Sequence, residues 1–257
     1  MENEVIMGQQ LTFTAPSGIS YTIREQNGAD DDILSNPQEA RDLTNLSRFI
    51  ASIVMACSLK SGKLTVEDAK SLPVLDRYCI LFKSRIFSLG ADLDFEYDWG
   101  KENGGKVSYS QDLNDFLFED YGDLPSAEEM EAKPHAIPFY SVESSKDIKI
   151  ALKSGHEVIF DLMTGNSEAY ILTLPLEKRT KNQELIARNL RVKVGDNWEK
   201  VTNFSNFSVK DMQEIRRTVA ASDPTFMGTT TIENPHTGEK AEISIIGVSS
   251  FFYPEEM

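Results

Sequence analysis

Apolar and polar residues alternate in the same way in two distant parts of the chain. From Leu11 to Ile23 the sequence reads L-T-F-T-A-P-S-G-I-S-Y-T-I, and from Ile148 to Phe160 it reads I-K-I-A-L-K-S-G-H-E-V-I-F. Each is a pair of period-two runs joined by a turn that contains Ser-Gly, the pattern of a hairpin with one buried face. In the first, Pro16 pre-sets the turn and Gly18 supplies a residue free to take positive φ. In the same register Gly28 falls on Gly165 and Leu34 on Ile171. After a one-residue slip, Pro37 falls on Pro175 and Arg41 on Arg179.

Helical spacing follows each hairpin. Asn36-Pro37-Gln38-Glu39 reads as a helix start, with Asn as cap, Pro in the first turn and Glu reaching back. Leu43, Leu46, Ile50, Ile53, Val54 and Cys57 continue it, and Ser61-Gly62 ends it. Leu75, Tyr78, Cys79, Phe82, Ile86 and Leu89 share one face of a second helix, Val74 to Leu89, which Gly90 stops. Leu93–Trp99 and Lys106–Leu113 then flank W-G-K-E-N-G-G-K, a hairpin expected to project.

In the second half, Glu184–Leu190 is expected to be helical and Arg191–Val201 strand-like around Gly195. Ser208-Val209-Lys210-Asp211 opens a helix as a capping box, and Asp223-Pro224 closes it. A last hairpin is expected from Thr229–Glu233 and Lys240–Tyr253. Asp115–Pro138 is acidic and rich in Pro and Gly, with a short helix at Glu128–Glu131. The expectation is an α+β protein of two tandem related modules, each with β-hairpins and amphipathic helices. Residues 1–120 form the first module, 121–136 an acidic linker and 137–257 the second.

The 257 residues carry 40% hydrophobic and 26% charged side chains, a globular composition, with a formal charge of −15. That charge argues against nucleic-acid binding, which needs clustered Lys and Arg, and against an anionic membrane surface. No run approaches a membrane span and the N-terminus has no signal-peptide pattern, so a soluble, cytoplasmically made protein is expected. Cys57 and Cys79 both lie in apolar helical patterns and read as buried thiols; their pairing is left open.

Candidate chemistry is sparse. His135, His156 and His236 all fall in turns or linkers and form no metal-binding pattern. No serine sits in a nucleophile elbow. Glu96 and Asp98 share a strand face without a reason for a raised pKa. The Gly-rich turn matches neither phosphate-binding fingerprint. Catalytic, cofactor and metal sites are therefore expected to be absent. Large aromatics in turns and at the chain end suggest contacts instead: Trp99 beside Gly100, and Phe251, Phe252 and Tyr253. Completion of local cores is the other reading of the same residues.

The closing stretch N-P-H-T-G-E-K-A-E-I-S-I-I-G-V-S-S-F-F-Y-P resembles the end of a baseplate hub and tail-assembly family of contractile-tailed bacteriophages. In that family a C-P-x-C-G-type knuckle precedes a strand and an F-F-x-P ending. Here Asn234 and Thr237 stand where the cysteines would be, and D-W-G-K-E-N-G-G resembles a cysteine-less first knuckle. A-P-S-G-I-S-Y-T-I-R-E, L-P-V-L-D-R-Y-C-I-L-F-K-S-R-I and S-G-H-E-V-I-F-D-L-M-T-G are similar to the family too. The resemblance implies a non-enzymatic structural component of the virion tail baseplate near the hub. Its partners would be other tail and baseplate proteins, in multiple copies within a symmetric assembly. A tail-assembly chaperone absent from the particle is the alternative, and a cell-wall hydrolase a more distant one. Loss of the knuckle thiolates removes the ligands of a structural zinc.

Overall fold

The computed structural model describes residues 9–252. The first hairpin is β1 (Gln10–Thr14) and β2 (Ser20–Arg24), with Phe13 opposite Tyr21 and both buried. Next comes a helix that the sequence reading missed, α1 (Gly28–Leu34), with Asn27 and Asp30 forming a capping box. Asn36 does cap, its Oδ1 accepting from the Gln38 and Glu39 N–H groups. The expected long helix does not follow. It is broken into a 3-10 turn (Glu39–Asp42) and α2 (Thr44–Ile53), because Leu43 between them has φ of 60°. Beyond Ile53 the chain extends as β3 (Val54–Cys57) against β2. Val54 and Cys57 are therefore strand residues rather than helical ones: β-branched Val54 favours the sheet once β2 offers a ladder.

After the short α3 (Val66–Ser71), α4 (Val74–Leu89) begins and ends as its pattern predicts. The following hairpin is β4 (Asp92–Asp98) and β5 (Lys106–Asp112), with Leu93 and Phe95 facing inward. The acidic stretch contains α5 (Ala127–Ala132). The two ends of the stretch are packed, with Phe116, Leu117, Phe118, Tyr121 and Ile137 buried and the Tyr121 hydroxyl donating to the Ile137 carbonyl at 2.9 Å, while most of residues 122–136 are exposed. The aromatics Phe116, Phe118 and Tyr121 at its start belong to the core.

The order then repeats. A hairpin, β6 (Ile148–Ala151) and β7 (Glu157–Phe160), leads into α6 (Gly165–Thr173) and α7 (Lys181–Ala187). A second hairpin, β8 (Arg191–Val194) and β9 (Asn197–Lys200), adds to the sheet, then α8 (Val209–Ser222) leads to β10 (Thr229–Glu233) and β11 (Lys240–Ser244). The sheets run β1-β2-β3 and β6-β7-β8-β9, so β3 corresponds to β8. Matching hydrogen bonds close the two Ser-Gly turns. The Ala15 N–H donates to Ile19 O and Gly18 N–H to Ala15 O; Leu152 N–H donates to His156 O and Gly155 N–H to Leu152 O. Cys57 pairs with Lys60 where Val194 pairs with Asn197. There the two halves part: the first turns away at Ser61-Gly62, whereas the second continues as β9.

The apolar packing does not follow the halves. A smaller core joins β6, β7, α7 and α8 through Ile150, Val158, Phe160, Leu185, Met212 and Ile215. The larger core holds the first-half elements together with Phe226, Ile232, Ile245 and Phe251 from beyond α8. The β10–β11 hairpin thus packs beside β4–β5. The last strand ends at Ser244, short of the expected Tyr253. The chain then turns through a 3-10 segment (Ser249–Phe251) that drives Phe251 inward.

Candidate functional site

Two hairpin turns and the chain end carry the residues singled out for contacts. Asp98 closes the first turn by accepting the Gly100 N–H at 2.8 Å, and the Trp99 N–H donates to Gly105 O at 3.0 Å. Trp99 does not project: it is 9% exposed, its ring meets Tyr97 edge-on and its Nε1–H donates to the Tyr109 hydroxyl at 2.8 Å. Tyr109 in turn donates to the Glu233 carbonyl at 3.0 Å, tying the first turn to the second. Gly100 is exposed. At Gly104, φ is 100° and the His236 ring lies where a Cβ would stand, so the two turns meet backbone to ring.

Asn234 organises the second turn. It is fully buried; its Oδ1 accepts from the His236 N–H at 2.8 Å and from the Thr237 N–H, while its Nδ2 donates to Asn103 O at 2.8 Å. The side chains of these turns do not fit a zinc ion. Asn234 is neutral and engaged in hydrogen bonds, no thiolate is near, and among the described residues no group of three potential ligands forms.

At the chain end, Phe251 is buried against Phe82 with ring centroids 5.2 Å apart, and the Ser250 hydroxyl donates to Asp94 O at 2.7 Å. Phe252 is half-buried on Phe251. Tyr253 lies outside the described residues. Of the five proposed contact residues, Trp99 and Phe251 are therefore part of this chain's own core, whereas Gly100 and Phe252 reach the surface.

The titratable groups are dispersed. His135 lines a cavity of about 310 Å³ with Gln111, Asp115, Lys133 and Thr230. His156 lies near Phe207 and His236 against Gly104. Cys79 is buried and free, and burial pushes its thiol far up; Cys57 is free and half-buried. Glu96 and Asp98 are exposed on the outer face of β4.

The carboxylates with raised pKa are elsewhere. Burial pushes Asp223 up against the pull of Arg188, whose Nε donates to it at 2.9 Å. Burial raises Glu168 too, against Arg77 and the Tyr78 hydroxyl. Asp76 is pushed up to about 6, chiefly by burial. Each is held by its own chain's donors rather than facing an open cleft, an arrangement that fastens elements together. Sequence reasoning missed Asp76 and Arg77. A charged pair, Asp76-Arg77, inside an otherwise apolar helix face was the available signal.

No helix among the described residues is long and apolar enough to cross a membrane. The model of the T4 bacteriophage base plate protein family matches residues 9–253. No curated protein and no solved structure matches the chain.

Proposed function

Since the chain belongs to the T4 bacteriophage base plate protein family, we propose that it is a structural subunit near the central hub of a contractile tail, acting through protein–protein contacts during tail assembly. The observation that carries this reading is the family match over nearly the whole chain. Its partners are other tail proteins, and it takes its place in several copies around a symmetric axis. Gly100 and Phe252 belong to the contact surface, together with Tyr253. Catalysis has no part in this role.

Mass spectrometry of purified virions and isolated tails tests the reading. The protein is expected in both, at a fixed ratio to other baseplate proteins. Presence in infected cells with absence from finished particles would mean an assembly chaperone instead. Turnover of cell-wall substrate by the pure protein, abolished by a single carboxylate substitution that leaves the fold intact, would mean a hydrolase.

A further inference from the structure

Asp76, the third residue of α4, is fully buried beneath the β1–β2 turn. Its Oδ1 accepts from the Ser17 N–H at 3.0 Å, and its Oδ2 accepts from the Ser17 hydroxyl and from the Tyr21 phenol at 3.0 Å. The other titratable groups around it are the Cys79 thiol of α4 and the Tyr140 phenol beyond α5. Further out, Cys57 of β3 faces Tyr21, and Lys83 and Asp120 face Cys79. No ion pair to Asp76 forms among the described residues, so a charge there relies on three donors and the positive end of α4. Two of those donors are hydroxyls, which can reverse and accept. The neutral acid fits the same site, with its proton on Oδ2 donated to Ser17 Oγ or Tyr21 Oη.

We propose that Asp76 is a proton-operated latch on the first hairpin: taking up a proton fastens the β1–β2 turn to α4, and releasing it loosens the hairpin tip. The physical cause is desolvation. An ionised carboxylate keeps its cost of removal from water in the closed state and sheds it when the tip opens; the neutral acid bears little of that cost. Burial raises the folded carboxyl to about 6 from 3.8, against the pull of the Ser17 hydroxyl, the Ser17 N–H and Tyr21. Because the folded value is raised, the stabilisation is complete below the unfolded value and is lost as pH rises through about 6.

The second half carries the same device differently set. Asp211, third in α8, hydrogen-bonds to Ser154 of the matching turn. Ser154, then the Ser208 hydroxyl, hold its carboxyl below the usual range, with His156 also facing it. That carboxylate stays ionised where Asp76 changes state.

The test is a carbon-13 titration of the Asp76 carboxyl in the full chain. Alongside it, amide-exchange protection of Ala15 and Gly18 is measured from pH 4.5 to 8 in wild type and Asp76→Asn. The expected titration midpoint is near 6, and protection at Ala15 and Gly18 falls through it in wild type but not in the variant. Relative to the variant, the wild-type unfolding constant should rise roughly 30-fold between pH 4.5 and 8. A midpoint in the ordinary carboxylate range, or wild-type protection flat through the titration, would overturn the proposal. If Asp76→Asn does not fold, the wild-type titration and protection profile decide it alone.

Discussion

Trp99 and Phe252 were given one role by their sequence settings, and packing separates them. A tryptophan between acidic and glycine residues reads as exposed. Its ring instead meets Tyr97 and donates to Tyr109 across its own hairpin, and Tyr109 ties that hairpin to a turn more than a hundred residues on. Trp99→Ala removes a buried ring and its hydrogen bond, and should cost about 3–5 kcal/mol, read as a large fall in melting temperature. Phe252 is only half-buried at the end of the described chain. Phe252→Ala should move the melting temperature by less than about 4 °C while lowering incorporation into tails. A large loss of stability for Phe252→Ala, with assembly per folded molecule unchanged, would remove it from the contact surface.

At the scale of elements, the two glycines that open α1 and α6 occupy matching positions in the repeat and meet different surroundings. A Cβ on Gly28 would stand in open space. A Cβ on Gly165 would lie 2.6 Å from the Arg77 guanidinium. That guanidinium is pinned in place, donating to the Ala69 carbonyl at 2.7 Å and to the Ser47 hydroxyl at 3.1 Å. It therefore has little room to yield. Gly28→Ala should leave stability unchanged or raise it by up to about 1 kcal/mol. Gly165→Ala should lower it by about 1–3 kcal/mol by overpacking the contact between α4 and α6. Urea unfolding of both variants checks the pair; equal effects would mean that this contact is loose. The matching glycines were visible in the sequence. Their unequal surroundings were not, because the Arg77 guanidinium of α4 lies against Gly165 while nothing lies within 4 Å of the matching place at Gly28.

At the scale of the molecule, the larger core takes Phe226, Ile232, Ile245 and Phe251 from beyond α8. Residues 1–136 expressed alone would leave Phe82 and Phe116 without the Phe226 and Phe251 rings they meet. That fragment is expected to show no cooperative thermal transition until residues 137–257 are added; a sharp transition by itself would mean that the first half is self-sufficient. What the sequence determined unaided is local. Period-two alternation and Ser-Gly turns specified the hairpins, helical spacing with Gly90 as stop specified α4, and a capping box specified the start of α8. In each, neighbours along the chain supply both the pattern and its termination. Tertiary structure decided the rest. Val54 joined a strand because β2 offered a ladder, the aromatics at the start of the acidic stretch had a core to enter, and the Trp99 hairpin was tied to a distant turn through Tyr109. A buried carboxylate such as Asp76 is recognisable only when its donors converge from another element, because burial belongs to the assembled fold and not to the residue.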